Sequence, residues 1–294
     1  MPQVVLSNGI NIEYDTLGDS DNPTMLWIMG FGAQLTTWDV DFFKMYVEQG
    51  FHVVRFDNRD CGLSHKYHGL VVETDKVVMQ AVMGDPVTVP VPYTLSDMAA
   101  DAVGVLDHLG IEKAHIIGAS MGGMIAQTVA LEHPHRTRSL TSIMSVPGDL
   151  AYGTPTDEVL VSFLTPPPVD RDAYIESAKN WALWYSKKHF DLSDVRRRAA
   201  LEYDRGFYPE GSHRQLAAVY ASGDRSEALR NLETPTLVIH GRDDTLLTPS
   251  GGERTAELVP GSTFMLISDM GHDVPKPLWP ILVDAISSHA RRSS

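Results

Sequence analysis

His115-Ile116-Ile117-Gly118-Ala119-Ser120-Met121-Gly122-Gly123-Met124 is the stretch around which the rest of the chain falls into place. A short apolar run breaks into Gly-x-Ser-x-Gly and continues as Met124-Ile125-Ala126-Gln127-Thr128-Val129-Ala130-Leu131, a good helix-forming sequence. The order is strand, tight turn, helix. A serine on such a turn is forced into a strained backbone conformation, and Gly118 and Gly122 leave room for the close backbone approach it requires. The Ser120 hydroxyl then stands above a sheet at a helix N-terminus, where amide groups and the helix dipole favour a developing negative charge. The five-residue pattern by itself also describes a plain turn rich in glycine and serine. Context selects the nucleophile: an apolar strand before it, a helix after it, and acid and histidine candidates downstream in the order Ser, Asp, His.

Working outward, Thr24-Met25-Leu26-Trp27-Ile28-Met29 and Phe51-His52-Val53-Val54-Arg55-Phe56 are the continuous apolar runs of strands covered on both faces. Leu140-Thr141-Ser142-Ile143-Met144-Ser145-Val146, Thr236-Leu237-Val238-Ile239-His240 and Phe264-Met265-Leu266-Ile267 repeat the pattern. Helical segments alternate with them: 38–46, and a helix opened by the cap residues Thr94-Leu95-Ser96-Asp97 with apolar positions Met98, Ala102, Val105, Leu106 and Leu109, stopped by Gly110. The segments at 3–6 and 11–16 flank Asn8-Gly9, a hairpin signal that predicts an antiparallel edge. Residues 66–92 show no clean period and are left unassigned. They read equally well as a small subdomain at the mouth of a site or as a surface excursion.

From Pro147 the alternation stops. Thr165-Pro166-Pro167-Pro168 and helical segments at 173–188 and 195–204 fill the gap before the next strand. The expected organisation is therefore a core of residues 1–147 and 229–294 with a helical cap at 148–228, placed over the C-terminal edge of the strands. Trp181 and Trp184 are candidates to line a substrate pocket there, or else pack helices together. Arg196-Arg197-Arg198 reads as a solvated face.

Composition narrows the function classes. The chain has 294 residues, 43% hydrophobic and 21% charged, as expected of a soluble globular protein. A formal net charge of -14 argues against a nucleic-acid surface, which needs clustered Lys and Arg. The one cysteine, Cys61, cannot form an intramolecular disulfide and reads as a small buried residue. No basic segment followed by a long apolar core opens the chain, and no run approaches a membrane span, so a cytoplasmic protein is expected. The sequence does not fix the oligomeric state; a homodimer is compatible with it. A Gly-x-Gly-x-x-Gly fingerprint and a phosphate loop are both absent, and His133-Pro134-His135 is too close and too proline-bound for a helical metal pair. Neither a cofactor nor a metal is expected.

The remaining polar loops follow strands at the edge where α/β sheets place their ligands. Gly30-Phe31-Gly32 is expected to form an oxyanion hole, the backbone NH of Phe31 pairing with that of Met121; a plain glycine turn is the alternative. The charged loop Asp57-Asn58-Arg59 could bind substrate; the preferred reading is that Asp57 and Arg59 brace the loops around the nucleophile turn through charge-assisted hydrogen bonds. In Gly241-Arg242-Asp243-Asp244 either aspartate can orient a catalytic histidine; Asp244, three residues after Gly241, is preferred and Asp243 is the second choice. His272 follows the last strand in a glycine turn, and a neutral imidazole there can take the serine proton and return it to a leaving group. His289 lies in the final helical segment and is a poor substitute.

Together, Met29-Gly30-Phe31-Gly32, Arg55-Phe56-Asp57-Asn58-Arg59 through Ser64, Gly118-Ala119-Ser120-Met121-Gly122-Gly123, Gly241-Arg242-Asp243-Asp244 and Gly271-His272 resemble an α/β-hydrolase-fold serine esterase over nearly the whole length. Within that fold the chain resembles the branch containing aclacinomycin methylesterase and small-ester carboxylesterases. The resemblance implies an α/β fold with a mostly parallel central sheet, helices on both faces and a helical cap insertion. It also implies no cofactor, and Asp244 rather than Asp243 as the acid. Many relatives carry His-Gly where this chain has Met29-Gly30, and residues 66–92 look longer than the usual loop, which bears on substrate identity. The expected activity is hydrolysis of a small-molecule carboxylic ester through an acyl-enzyme on Ser120, His272 and Asp244. Carbon-carbon, amide, lactone or peracid chemistry on the same triad, and a non-catalytic ligand receptor, are the alternatives.

Overall fold

Strands and helices alternate because the apolar runs do. In the computed structural model, which describes residues 1–293, the first strands β1 (Gln3–Val5) and β2 (Asn11–Leu17) form the antiparallel hairpin around Gly9, whose φ of 81° suits glycine. After β3 (Thr24–Ile28) come the helix α1 (Val40–Glu48) and β4 (His52–Phe56), which pairs antiparallel with β2 and parallel with β3. Residues 66–92, unassigned from sequence, contain the helix α2 (Thr74–Met83), ended by Gly84 in the left-handed region. Next follow α3 (Leu95–His108), β5 (Ala114–Ala119), α4 (Met121–Glu132) and β6 (Thr137–Ile143). The eight-stranded sheet is completed by β7 (Thr236–Gly241) and β8 (Thr263–Ile267) in the order β1-β2-β4-β3-β5-β6-β7-β8, with every pair from β4 to β8 parallel.

Between β6 and β7 lie five helices: α5 (Asp157–Leu164), α6 (Arg171–Ser177), α7 (Leu192–Gly206), α8 (Pro209–Ala221) and α9 (Ser226–Leu229). The single helical segment expected at 173–188 is shorter than that. It is α6 followed by a 3₁₀ turn, Ala178–Leu183, after which the chain runs irregularly to α7. The core then resumes with β7 (Thr236–Gly241), α10 (Pro249–Leu258), β8 (Thr263–Ile267) and α11 (Trp279–Arg292).

Both faces of the sheet are covered, and the two-residue period of a strand divides the apolar side chains between them. Leu26, Ile28, Val54, Phe56 and Ile116 pack with Met98, Ala102, Leu106, Ile125 and Val129 of α3 and α4. Met25, Trp27, Val53 and Ile117 face the other way, against Phe42, Phe43 and Tyr46 of α1 and Leu282, Val283 and Ile286 of α11. This two-sided burial makes the strand ends rigid supports for the loops that leave them. No helix among the described residues is long and apolar enough to cross a membrane.

Candidate active site

The turn between β5 and α4 sets the geometry. Ser120 has φ 57° and ψ -124°, in the left-handed half of backbone space that a non-glycine residue enters only under constraint. Its amide donates to Ile143 O at 2.9 Å, and its carbonyl accepts from Ser145 Oγ at 2.8 Å and from the Gly123 amide at 2.9 Å. A side chain at Gly118 would overlap the Gly122 carbonyl, and one at Gly122 would overlap the carbonyl of Ile28. The glycines permit the turn, and neighbouring strands hold it.

Three loops bring the sequence-expected residues together. Ser120 Oγ lies 2.9 Å from His272 Nε2, and His272 Nδ1 lies 2.7 Å from Asp244 Oδ2. The carboxylate requires a proton on Nδ1, so Nε2 is left as acceptor for the serine hydroxyl. Asp244 is 2% exposed, and its other oxygen accepts the Leu246 and Leu247 amides at 2.9 and 3.0 Å. Burial alone would raise this carboxyl. The charge of His272 and hydrogen bonds from His240 and His272 outweigh burial and hold it below its ordinary value. His240, at the end of β7, donates from Nε2 to Leu247 O at 2.7 Å and sits 3.4 Å from Asp244 Oδ2. Asp243 donates its amide to Met270 O at 2.9 Å, and His289 is bound to Leu140 O beneath the sheet.

The loop after β3 lies directly against Ser120. A Cβ on Gly30 would stand 3.1 Å from Ser120 Cβ and 3.7 Å from Ser120 Oγ. Among the described residues, no acceptor bonds the backbone NH of Phe31 or of Met121. The loop is fixed from α8, where Gln215 Oε1 accepts the Gly32 amide at 2.9 Å and Gln215 Nε2 donates to Arg59 O at 2.8 Å. Gln215 carries no motif that sequence reading could detect.

Asp57 and Arg59 are buried and point away from the cavity, each toward its own partner. Asp57 accepts the Leu35 and Leu63 amides at 2.7 and 2.8 Å and pairs with Arg205 of α7 at 2.7 Å, while Arg59 grips Asp101 of α3 through two bonds of 2.6 and 2.7 Å. Arg196 and Arg197 form exposed ion pairs, but Arg198 turns inward over the Tyr185 ring, which corrects the expectation of an evenly solvated face. Cys61 is buried, and burial pushes its thiol up.

Above Ser120 and His272 opens a cavity of about 900 Å³ walled by Phe31, Phe163, Tyr174, Trp181, Trp184 and Tyr208. Both tryptophans serve two purposes. Trp181 packs on Tyr185 at 5.7 Å and Trp184 on Phe163 at 6.5 Å, and each also lines the cavity. Phe163 packs on Phe31 at 5.1 Å with the rings tilted by 43°, and sequence reading does not find it, because an isolated aromatic residue in a short helix gives no signal. Lysine and arginine are absent from the described lining, whereas Glu202 is present, bonded by Thr37 Oγ1 at 2.7 Å; burial raises its carboxyl above the ordinary value.

Comparison with known proteins bears on the fold. The chain is 25% identical to rhodomycin D methylesterase DnrP of Streptomyces peucetius, with 100% of each chain covered. In fold it is similar to an enol-lactonase from Burkholderia xenovorans LB400, with a TM-score of 0.74 at 18% identity over 99% of this chain and 100% of the other. It is equally similar to a meta-cleavage product hydrolase from Pseudomonas fluorescens IP01, with a TM-score of 0.74 at 18% identity over 100% and 98% of the two chains. The family profile described as alpha/beta hydrolase fold matches residues 23–275. The chain belongs to the alpha/beta hydrolase fold family.

Proposed function

We propose that this hydrolase cleaves small-molecule carboxylic esters through an acyl-enzyme on Ser120. The observation that carries the reading is the continuous line from Ser120 Oγ through His272 to the buried Asp244, at 2.9 and 2.7 Å. His272 Nε2 takes the hydroxyl proton as Oγ bonds to the ester carbonyl carbon, and Asp244 stabilises the imidazolium. The carbonyl oxygen, now negative, is held by the Phe31 and Met121 amides. Collapse breaks the carbon–oxygen bond to the alcohol, which leaves with the proton from His272. Water then repeats the cycle on the acyl group and restores the serine. Residues 148–228 act as the lid over this reaction, with Trp181 and Trp184 holding the apolar part of the substrate.

A methylesterase among the relatives supports ester chemistry. So does the cavity wall. A substrate with a free carboxylate would enter a space with no lysine or arginine on its described lining, at a desolvation cost that a neutral ester avoids.

Ser120→Ala should lower kcat for a nitrophenyl ester by roughly four orders of magnitude or more with an unchanged melting transition. A serine-directed phosphonate should label Ser120 in the wild type. Retained turnover in the variant would end the proposal. Labelling of Ser120 without turnover across a chain-length series would move the reaction to carbon-carbon or lactone substrates.

A further inference from the structure

The loops bearing Asp244 and His272 are both fastened to one short stretch of chain, residues 183–186, which begins at the last residue of the 3₁₀ turn after α6. Leu183 O accepts from Thr245 Oγ1, next to Asp244, at 2.6 Å. Trp184 O accepts the His272 amide itself at 2.6 Å. Ser186 N donates to Asp273 Oδ1 at 2.9 Å, and the same oxygen accepts the Gly271 amide at 3.2 Å. Ser186 Oγ donates to Asp269 O at 2.6 Å, and Lys188 pairs with the Asp269 carboxylate at 2.7 Å. Backbone lies on backbone here: a Cβ at Gly271 would come within 2.5 Å of Trp184 O and of the Tyr185 carbonyl carbon.

We propose that Asp273 is a positioning residue for His272, tying the amides of Gly271 and Ser186 to one carboxylate oxygen so that the base is held against residues 183–186. This rests on the esterase reading above. The same tether makes residues 183–186 a common brace for Asp244 and His272, which otherwise sit on separate loops. Since Trp184 also lines the cavity, the surface that meets substrate and the carbonyl that holds the His272 amide belong to one residue.

Charge is the second consequence. His272 on its own loop, Tyr185 from the brace and Arg198 from α7 face Asp273. Burial pushes the Asp273 carboxyl up to about 6, while the two amide bonds, Arg198 and His272 favour its ionised form. At neutral pH Asp273 therefore places a second negative charge beside the imidazolium that forms in turnover.

The test uses Asp273→Ala and Asp273→Asn, each read by steady-state kinetics on a nitrophenyl ester, by the rate of phosphonate labelling of Ser120, and by thermal melting. Asp273→Ala removes the acceptor, and kcat and the labelling rate should fall by about 10- to 100-fold with KM within about twofold. Asp273→Asn keeps an acceptor oxygen and should restore kcat to within about threefold. Having lost the charge, it should move the acid limb of the kcat/KM profile to lower pH by about half a unit. An Ala variant with kcat within about twofold of wild type, a loss residing in KM, or an Asn variant as slow as Ala would overturn the tether. Should the Ala variant fail to fold, a fall of more than about tenfold in kcat and labelling rate in the Asn variant, which keeps the acceptor oxygen, overturns it. Labelling needs no ester turnover, so a failed esterase reading and a failed tether give different results.

Discussion

At the scale of a single residue, Ser120 is held in a strained backbone conformation. Its φ of 57° costs about 1–3 kcal/mol, and the bonds from its amide to Ile143 O and from Ser145 Oγ to its carbonyl hold it in place. Gly122 is the matching constraint on the other side of the turn, packed against the carbonyls of Ile28 and Met29. Neither backbone group can retreat, because both belong to the end of a central strand and the loop leaving it. Gly122→Ala should therefore lose roughly 3 kcal/mol or more, at the upper end of overpacking costs, in urea unfolding. A loss under about 1 kcal/mol would show that the turn can relax.

At the scale of elements, α8 fastens the loop bearing Gly32, as residues 183–186 fasten the loop bearing His272. Gln215 holds Gly32, and its neighbour Arg214 clamps Asp60 through bonds of 2.8 and 2.9 Å, with Tyr93 OH on the same carboxylate at 2.7 Å. Arg214 and Asp60 are both buried, so Arg214→Ala leaves a carboxylate without its counter-charge. A loss of about 3–5 kcal/mol is expected in urea unfolding, with a larger fractional fall in kcat than in melting temperature as the loops bearing Gly32 and Asp60 loosen. None of this was legible in the sequence. Arg214 and Gln215 act on partners more than 140 residues away, whereas the strands, the nucleophile turn and the order of Ser120, Asp244 and His272 announce themselves through local apolar runs and glycines. Helix α2 escaped notice for a different reason: Glu73 gives it no side-chain cap, and only Thr74 and Val77 are buried, too few to set a period. The segment at 173–188 read as one helix because its aromatic residues fall at helical spacing, yet they pack around a 3₁₀ turn.

For the molecule as a whole, the covered sheet sets how stability responds to acid. His52, His115 and His289 are all buried, and burial holds each imidazole below its ordinary value. His115, on β5 beneath the nucleophile turn with Nδ1 2.8 Å from Ser139 Oγ, is lowered from 6.5 to about 4, burial being the main cause and Arg138 and His289 adding to it. Between those values the unfolded chain carries a proton on this residue and the folded chain does not. Stability from His115 is thus complete above about pH 6.5 and is lost as pH falls toward 4, a change of at most about 3 kcal/mol. Asp244, held low, works in the same sense; Asp273 and Glu202, held high, work against it. A single pH profile cannot separate these groups, but a difference can. His115→Gln removes the titration while keeping a polar partner for Ser139. Urea unfolding at intervals from pH 7 to pH 4 should show wild type losing up to about 3 kcal/mol more than the variant, with the divergence beginning near pH 6.5. Parallel profiles would mean that His115 binds its proton as readily in the fold as out of it, and that β5 is less sealed from water than its burial implies.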